Sequence, residues 1–199
     1  MPRPRRSDST RDALIQTGIT QLSAYGYHGT GIKQVLDIVK VPKGSFYNFF
    51  SSKDAFVAEL IQTYSQDLIA QITQFVQTGG NEPNTLDKLK VITLFTLDKF
   101  EEVHYTHSCL IATISADIDH NQPLSLRILN QSIERCQTLF SRLFKQAQEE
   151  GTIRQDLHAE QIANLYWSSW QGTLIRMRIS KNKTEAKDCM MQLFNIISI

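Results

Sequence analysis

Between Thr30 and Lys53 the chain reads TGIKQVLDIVKVPKGSFYNFFSSK, two short helical patterns divided at Val41 and Pro42. Ile32, Val35, Leu36 and Val39 recur at i, i+3, i+4 and i+7, which lines one face of a helix. Thr30 is placed to cap it. Proline has a fixed φ and no N–H, so it suits the first position of a helix; the bend falls around Lys40 and Val41, and a second helix opens at Pro42. Phe46, Phe49 and Phe50 give that helix a buried seam and turn Lys43, Ser45, Tyr47 and Asn48 outward. Two short helices joined this tightly form a helix-turn-helix, a unit whose second helix fits a DNA major groove.

Apolar seams of this kind also occur in ordinary helical cores, and charge separates the two readings. Up to Lys53 there are eight basic and three acidic residues, a net +5, whereas the remainder holds 13 basic and 17 acidic residues, a net −4. A chain that is nearly neutral as a whole is polarised, and a phosphate backbone attracts only its first part. Arg3, Arg5 and Arg6 add a Pro-interrupted basic arm able to follow a minor groove.

The run from Val41 to Asp54, with Ala24 to Thr30 before it, resembles the signature of the TetR/AcrR family of one-component transcriptional regulators. The resemblance implies an all-α fold with a three-helix DNA-binding head at 1–52 and a ligand-binding and dimerisation domain at 53–199, joined by a long helix. It assigns Lys33 and Lys43 to base edges or nearby phosphates, Ser45, Tyr47 and Lys53 to phosphates, and Thr30, Gly44, Asn48, Arg5 and Arg6 to the same surface. Ammonium and hydroxyl groups donate to phosphate oxygens, and a lysine in the major groove can donate to guanine O6 and N7. Three positions depart from the family pattern: Val39-Lys40 replaces a common Ala-Gly, Pro42 a common Ser, and Phe49 a common His or Tyr. The resemblance also implies a homodimer formed by the last two helices, a palindromic operator, and release by a small-molecule effector.

Elsewhere the periodicity is helical, with Gly and Pro at the breaks. Ser9 with Asp12 reads as a capping box for a first helix ending at Gly26, and Ser52 as the cap of a fourth helix over about 53–77. The TGGNEPN segment is a loop, and further helices are predicted over 85–103, 109–117, 123–150, 158–180 and 184–197. No stretch reaches the ~20 apolar residues needed to span a bilayer, and no signal-peptide pattern follows the basic start, so the expected location is cytoplasmic. Cys109, Cys136 and Cys189 are widely spaced and lack a CxxC pair, which argues against a disulfide framework.

In the second half, the segments around Trp167 and Met190 carry apolar residues on more than one face, as dimerising helices would. Cys109 stands near a predicted helix start, where the positive helix end, with His104 or His107 nearby, favours a thiolate. The Ser-Cys-Leu sequence there resembles a NemR-like, cysteine-containing branch of the family held to sense reactive molecules through the thiol. Against that, most free cysteines are simply small buried apolar residues. Phe95, Phe140, Trp167 and Trp170 are candidates to line an effector cavity. His104, His107 and Cys109 match no strong zinc spacing, so neither metal nor cofactor is expected. No catalytic constellation is visible, and no enzymatic activity is expected. The alternative from another class is a cysteine-dependent protein that modifies or scavenges small molecules, with a head that serves only structure.

Overall fold

In the computed structural model, residues 6–78 and 82–199 are described. Nine helices and one isolated bridge make up the regular structure of these residues. The helices are α1 (Arg6–Tyr25), α2 (Ile32–Val39), α3 (Lys43–Tyr47), α4 (Lys53–Thr78), α5 (Thr85–Glu102), α6 (Leu110–Ile114), α7 (Pro123–Glu149), α8 (Ala159–Ser180) and α9 (Lys183–Ile197). They form two compact units, one holding the chain up to Ser65 with Cys109–Ser132, the other Gln66–Ser108 with Ile133–Ile199.

The first unit is built on α1 to α3, the start of α4, α6 and the first turns of α7. Leu14 and Leu22 of α1, Val35 and Leu36 of α2, Phe46 of α3 and Phe56, Leu60 and Ile61 of α4 are all buried. Gly18 lets α1 and α4 approach closely, because a Cβ there would lie 2.6 Å from both Phe56 and Leu60 side-chain atoms. Gly26 ends α1 at φ +72°, donating its N–H to Leu22.

Helix starts correct the sequence reading at three places. α1 already runs through Ser9 and Asp12, so neither caps it; Asp8 stands in the first turn, where a carboxylate suits the helix N-terminus. The N-cap of α2 is Gly31, not Thr30, and Pro42 is itself the N-cap of α3. Ser52 caps α4 as expected, accepting from the Ala55 N–H at 3.0 Å. Helix α6 is shorter than the predicted 109–117.

The core of the second unit is aromatic. Tyr166 packs against Phe140, Phe144 and Phe194 at centroid distances of 4.7, 5.6 and 5.8 Å, and its hydroxyl pairs with Thr93 Oγ1 at 2.8 Å. Lys183, at the start of α9, reaches both Asp98 and Glu101 of α5. His158 and Gln161 form a capping box that opens α8.

Candidate nucleic-acid interface

The turn between α2 and α3 is held by backbone. Lys40 lies in the left-handed region at φ 60°, ψ 44°, its N–H returning to Leu36 O. This is the position where a lysine stands in place of the usual glycine, and it keeps the geometry a glycine would take without cost. Phe46 then anchors α3 from below, in a ring cluster with Phe50 and Phe56 at 5.2 Å each. Sealing that seam leaves Lys43, Gly44, Tyr47 and Asn48 exposed and Ser45 half-buried. Tyr47 is 53% exposed, its ring edge-on to Phe46. Nothing lies within 4 Å of where a Gly44 Cβ would be, so the approach to the helix start is open. Lys33 is exposed beside them on α2, paired with Asp37 at 2.7 Å.

Other sequence-assigned residues are placed differently. Thr30 is 2% exposed and its hydroxyl has no hydrogen-bond partner among the described residues, so its side chain does not reach the surface. Lys53 is turned inward: Nζ donates to the Tyr27 carbonyl at 2.7 Å and sits 4.1 Å from the centre of that ring. Burial lowers its pKa, opposed by the nearby Asp117 carboxylate. It braces the fold where the sequence assigned it to phosphate. Arg3 and Arg5 lie outside the described residues, as does the side chain of Arg6. Phe49, expected in the seam, is only half-buried.

Two carboxylates that the sequence reading passed over tie this surface to α6 and α7. Asp117, just past α6, accepts the Tyr27 N–H at 2.8 Å. Asp54, in the first turn of α4, accepts from the N–H groups of Leu124 and Ser125 at 3.0 and 2.9 Å, capping α7. No local cue in the sequence links Asp54 to a helix 70 residues away.

Residues 14–60 match the family described as bacterial regulatory proteins, tetR family, and residues 85–193 match the tetracyclin repressor-like C-terminal domain. The chain belongs to the TetR family. Its head is therefore the DNA-binding part of a transcriptional regulator. The repressor DhaR of Mycobacterium sp. (strain GP1) is 29% identical to this TetR-family chain, across 94% of this chain and 91% of DhaR. The repressor NemR of Escherichia coli K12 is 24% identical, across 95% and 94%. The crystal structure of reduced E. coli NemR superposes with a TM-score of 0.84 at 26% identity over 96% of this chain and 97% of that one. A TetR regulatory protein from Rhodobacter sphaeroides shares the fold at a TM-score of 0.85 and 22% identity, over 94% and 98%.

The effector-side candidates do not form one site. Cys109 is the N-cap of α6 and 2% exposed. Burial pushes its thiol pKa up, against smaller lowering contributions from the Ala112 N–H, the Tyr64 hydroxyl and the Ile111 N–H. The direction is opposite to the expected thiolate: the helix end is present, but desolvation outweighs it. Cys109 belongs to the first unit, and His107 to the second, where its Nδ1 lies 2.9 Å from Thr106 Oγ1. Phe140, Trp167 and Trp170, the other candidates to line an effector cavity, are buried in the second unit. Phe95 is 56% exposed under the Lys99 ammonium and lines no interior space. Among the described residues no cluster of three or more His, Cys, Asp or Glu is placed to hold a metal, and no helix is long and apolar enough to cross a membrane.

Proposed function

We propose that this TetR-family chain is a homodimeric repressor that reads a palindromic operator with α3 and is released by a small-molecule effector or by modification of Cys109. The observation that carries the reading is the pairing on α3 of a sealed apolar face at Phe46 with an exposed face of Lys43, Gly44 and Tyr47. A helix anchored on one side and polar, cationic and unobstructed on the other is ready to enter a groove. Lys33 and Asn48 extend this surface, and Ser45 reaches it from its half-buried position. Both DhaR and NemR carry the name of repressors, which supports the sign of regulation.

Dimerisation follows from α8. Leu165, Ser168, Gly172, Ile175 and Ile179 are all exposed and recur every three or four residues, a coiled-coil-like stripe. The apolar residues that first pointed to dimerisation, Trp167, Trp170, Met190 and Phe194 among them, are instead buried within the monomer. Ile196 of α9 is a further exposed apolar residue. A two-fold axis through this stripe gives each operator half-site one α3.

The division of labour assigns DNA reading to residues 1–52 and effector binding with dimerisation to 53–199. Release is a two-state equilibrium that an effector shifts by its unequal affinity for the two states. Cys109 lies in one compact unit with the head and faces Tyr64 of α4, so modification of its thiol would act on the packing around α4.

Selection of bound duplexes from a random pool by the full chain tests this reading. A palindromic consensus is expected, with affinity falling at least tenfold in Lys43→Ala and in Tyr47→Ala. Unaltered duplex binding in both variants overturns it. A thiol alkylator added to the parent and to Cys109→Ser separates the two release routes, because only the parent loses binding if Cys109 carries the signal.

A further inference from the structure

We propose that the face of α8 bearing Trp167 and Gln171 receives the oxygen of a neutral carbonyl compound, a ketone, aldehyde or ester. The proposal rests on reading the second half as effector-responsive and names the chemistry that this half recognises.

Trp167 is 3% exposed, with its ring 5.8 Å from that of Phe140. Its indole N–H has no acceptor among the described residues, and the same holds for the buried Nε2 of Gln171. Four residues apart on one helix, the two side chains share a face, with Cβ atoms about 5–6 Å apart. Other buried polar groups of α8 are satisfied: the Tyr166 hydroxyl pairs with Thr93, and the Thr173 hydroxyl donates to Cys189 Sγ at 3.4 Å. Among the buried side-chain groups described on α8, the two without a partner are therefore both donors. Ala163 and Leu174, at the same helical spacing, are buried and apolar.

Two buried donors without acceptors on one helix face, flanked by the apolar Ala163 and Leu174, match the pattern of a small-molecule site, where few polar groups fix orientation. Both groups donate, so the complement is an acceptor; a carbonyl oxygen offers two lone pairs and brings no hydrogen. A carboxylate fits less well. The cations of α8, Arg176 and Arg178, are exposed, and a buried charge without a partner is strongly disfavoured.

The test uses the full chain with ¹⁵N-labelled indoles, the two N–H resonances being assigned with Trp167→Phe. Acetophenone and cyclohexanone are titrated against ethylbenzene and methylcyclohexane, with benzoate as the charged comparison. The ketones are expected to shift the Trp167 N–H and to bind at least fivefold tighter than the matched hydrocarbons. Trp167→Phe and Gln171→Leu should each shrink that ratio severalfold, since a site built to hydrogen-bond discriminates against ligands lacking the acceptor. Equal binding of ketone and hydrocarbon, a ratio unchanged in both variants, tighter binding of benzoate, or a Trp167 resonance that no ketone moves overturns the proposal. The last result is the one expected if water alone fills the site. Duplex binding without probe, measured on the same samples, reports separately on the regulator reading; both variants should retain the parent's affinity.

Discussion

Asp117 and Tyr27 are 90 residues apart in sequence, and the carboxylate of one accepts the backbone N–H of the other at 2.8 Å. The bond fastens the end of α6 to the turn between α1 and α2, and Lys53 closes the arrangement by donating to the Tyr27 carbonyl. The α6 segment thus begins at the Cys109 cap and ends on the head's own backbone.

Replacing Asp117 by Ala leaves the Tyr27 N–H, on a buried residue, without its acceptor. The expected loss is about 1–3 kcal/mol of stability, measured by urea unfolding. Gly26→Ala should act on the same contact, since its Cβ would meet the Asp117 carboxylate at 2.5 Å and its φ of +72° disfavours a side chain. Combining the two changes should therefore cost less than their sum, and strict additivity would show that they act on separate contacts.

Lys40→Gly is expected to stabilise the protein, by about 0.5–1 kcal/mol. The gain from relieving a left-handed lysine exceeds the extra freedom glycine gives the unfolded chain. Lys40→Val, β-branched at the same φ, should destabilise by at least that amount. The denaturation midpoints of both variants decide the matter, and a destabilised glycine variant rules out the strain assigned to this turn.

Lys43 and Lys53 should separate in their effects. Lys43→Met is expected to weaken operator binding, to lower the salt slope by about one, and to leave the unfolding midpoint unchanged. Lys53→Met removes the donor to Tyr27 and should lower the midpoint. Isothermal unfolding beside a salt titration of duplex binding distinguishes the roles; a shallower salt slope with unchanged stability in the Lys53 variant would return that residue to the phosphate surface.

Burial raises the Tyr166 pKa to about 12, with the Thr93 hydrogen bond opposing the shift. The folded state therefore holds this proton more tightly than the unfolded one. Its contribution is fully present below about pH 10, the ordinary tyrosine value, and is lost as pH climbs toward about 12, on the order of 2–3 kcal/mol in all. Tyr166→Phe should flatten that part of the stability curve between pH 9.5 and 11.5 relative to the parent. Parallel curves for the two proteins would refute the assignment.

Cys189 is half-buried while Cys109 and Cys136 are buried. Iodoacetamide at pH 8 should label Cys189 first and Cys109 at least tenfold more slowly, at a rate that rises with low urea as local opening exposes it. Peptide mapping over time follows each site. A Cys109 that reacts as fast as free cysteine would restore the exposed thiolate inferred from its helix-start position.

Much of the fold is legible in the periodicities. The 3.6-residue spacing of Ile32, Val35, Leu36 and Val39, the Phe46 and Phe50 seam, the breaks at Gly26 and Pro42 and the Ser52 cap are local signals, and local backbone energetics follows them. Exposure of Lys43 and Tyr47 came with the same pattern, because fixing the buried face of a short helix fixes the opposite one. Helix boundaries slipped where a polar residue could serve either as cap or as interior, as at Ser9.

The sequence by itself determined a positively charged helix-turn-helix head followed by a helical second part, since amphipathic spacing and charge sum along the chain. Only tertiary packing decided which polar groups stay free. Lys53 was drawn to a carbonyl 26 residues away, Thr30 and Cys109 were buried, Phe95 was left outside, and Trp167 and Gln171 were left with donors and no acceptor. Desolvation and partner supply at each of those groups depend on segments distant in sequence, and neither quantity is encoded in a residue's own neighbourhood.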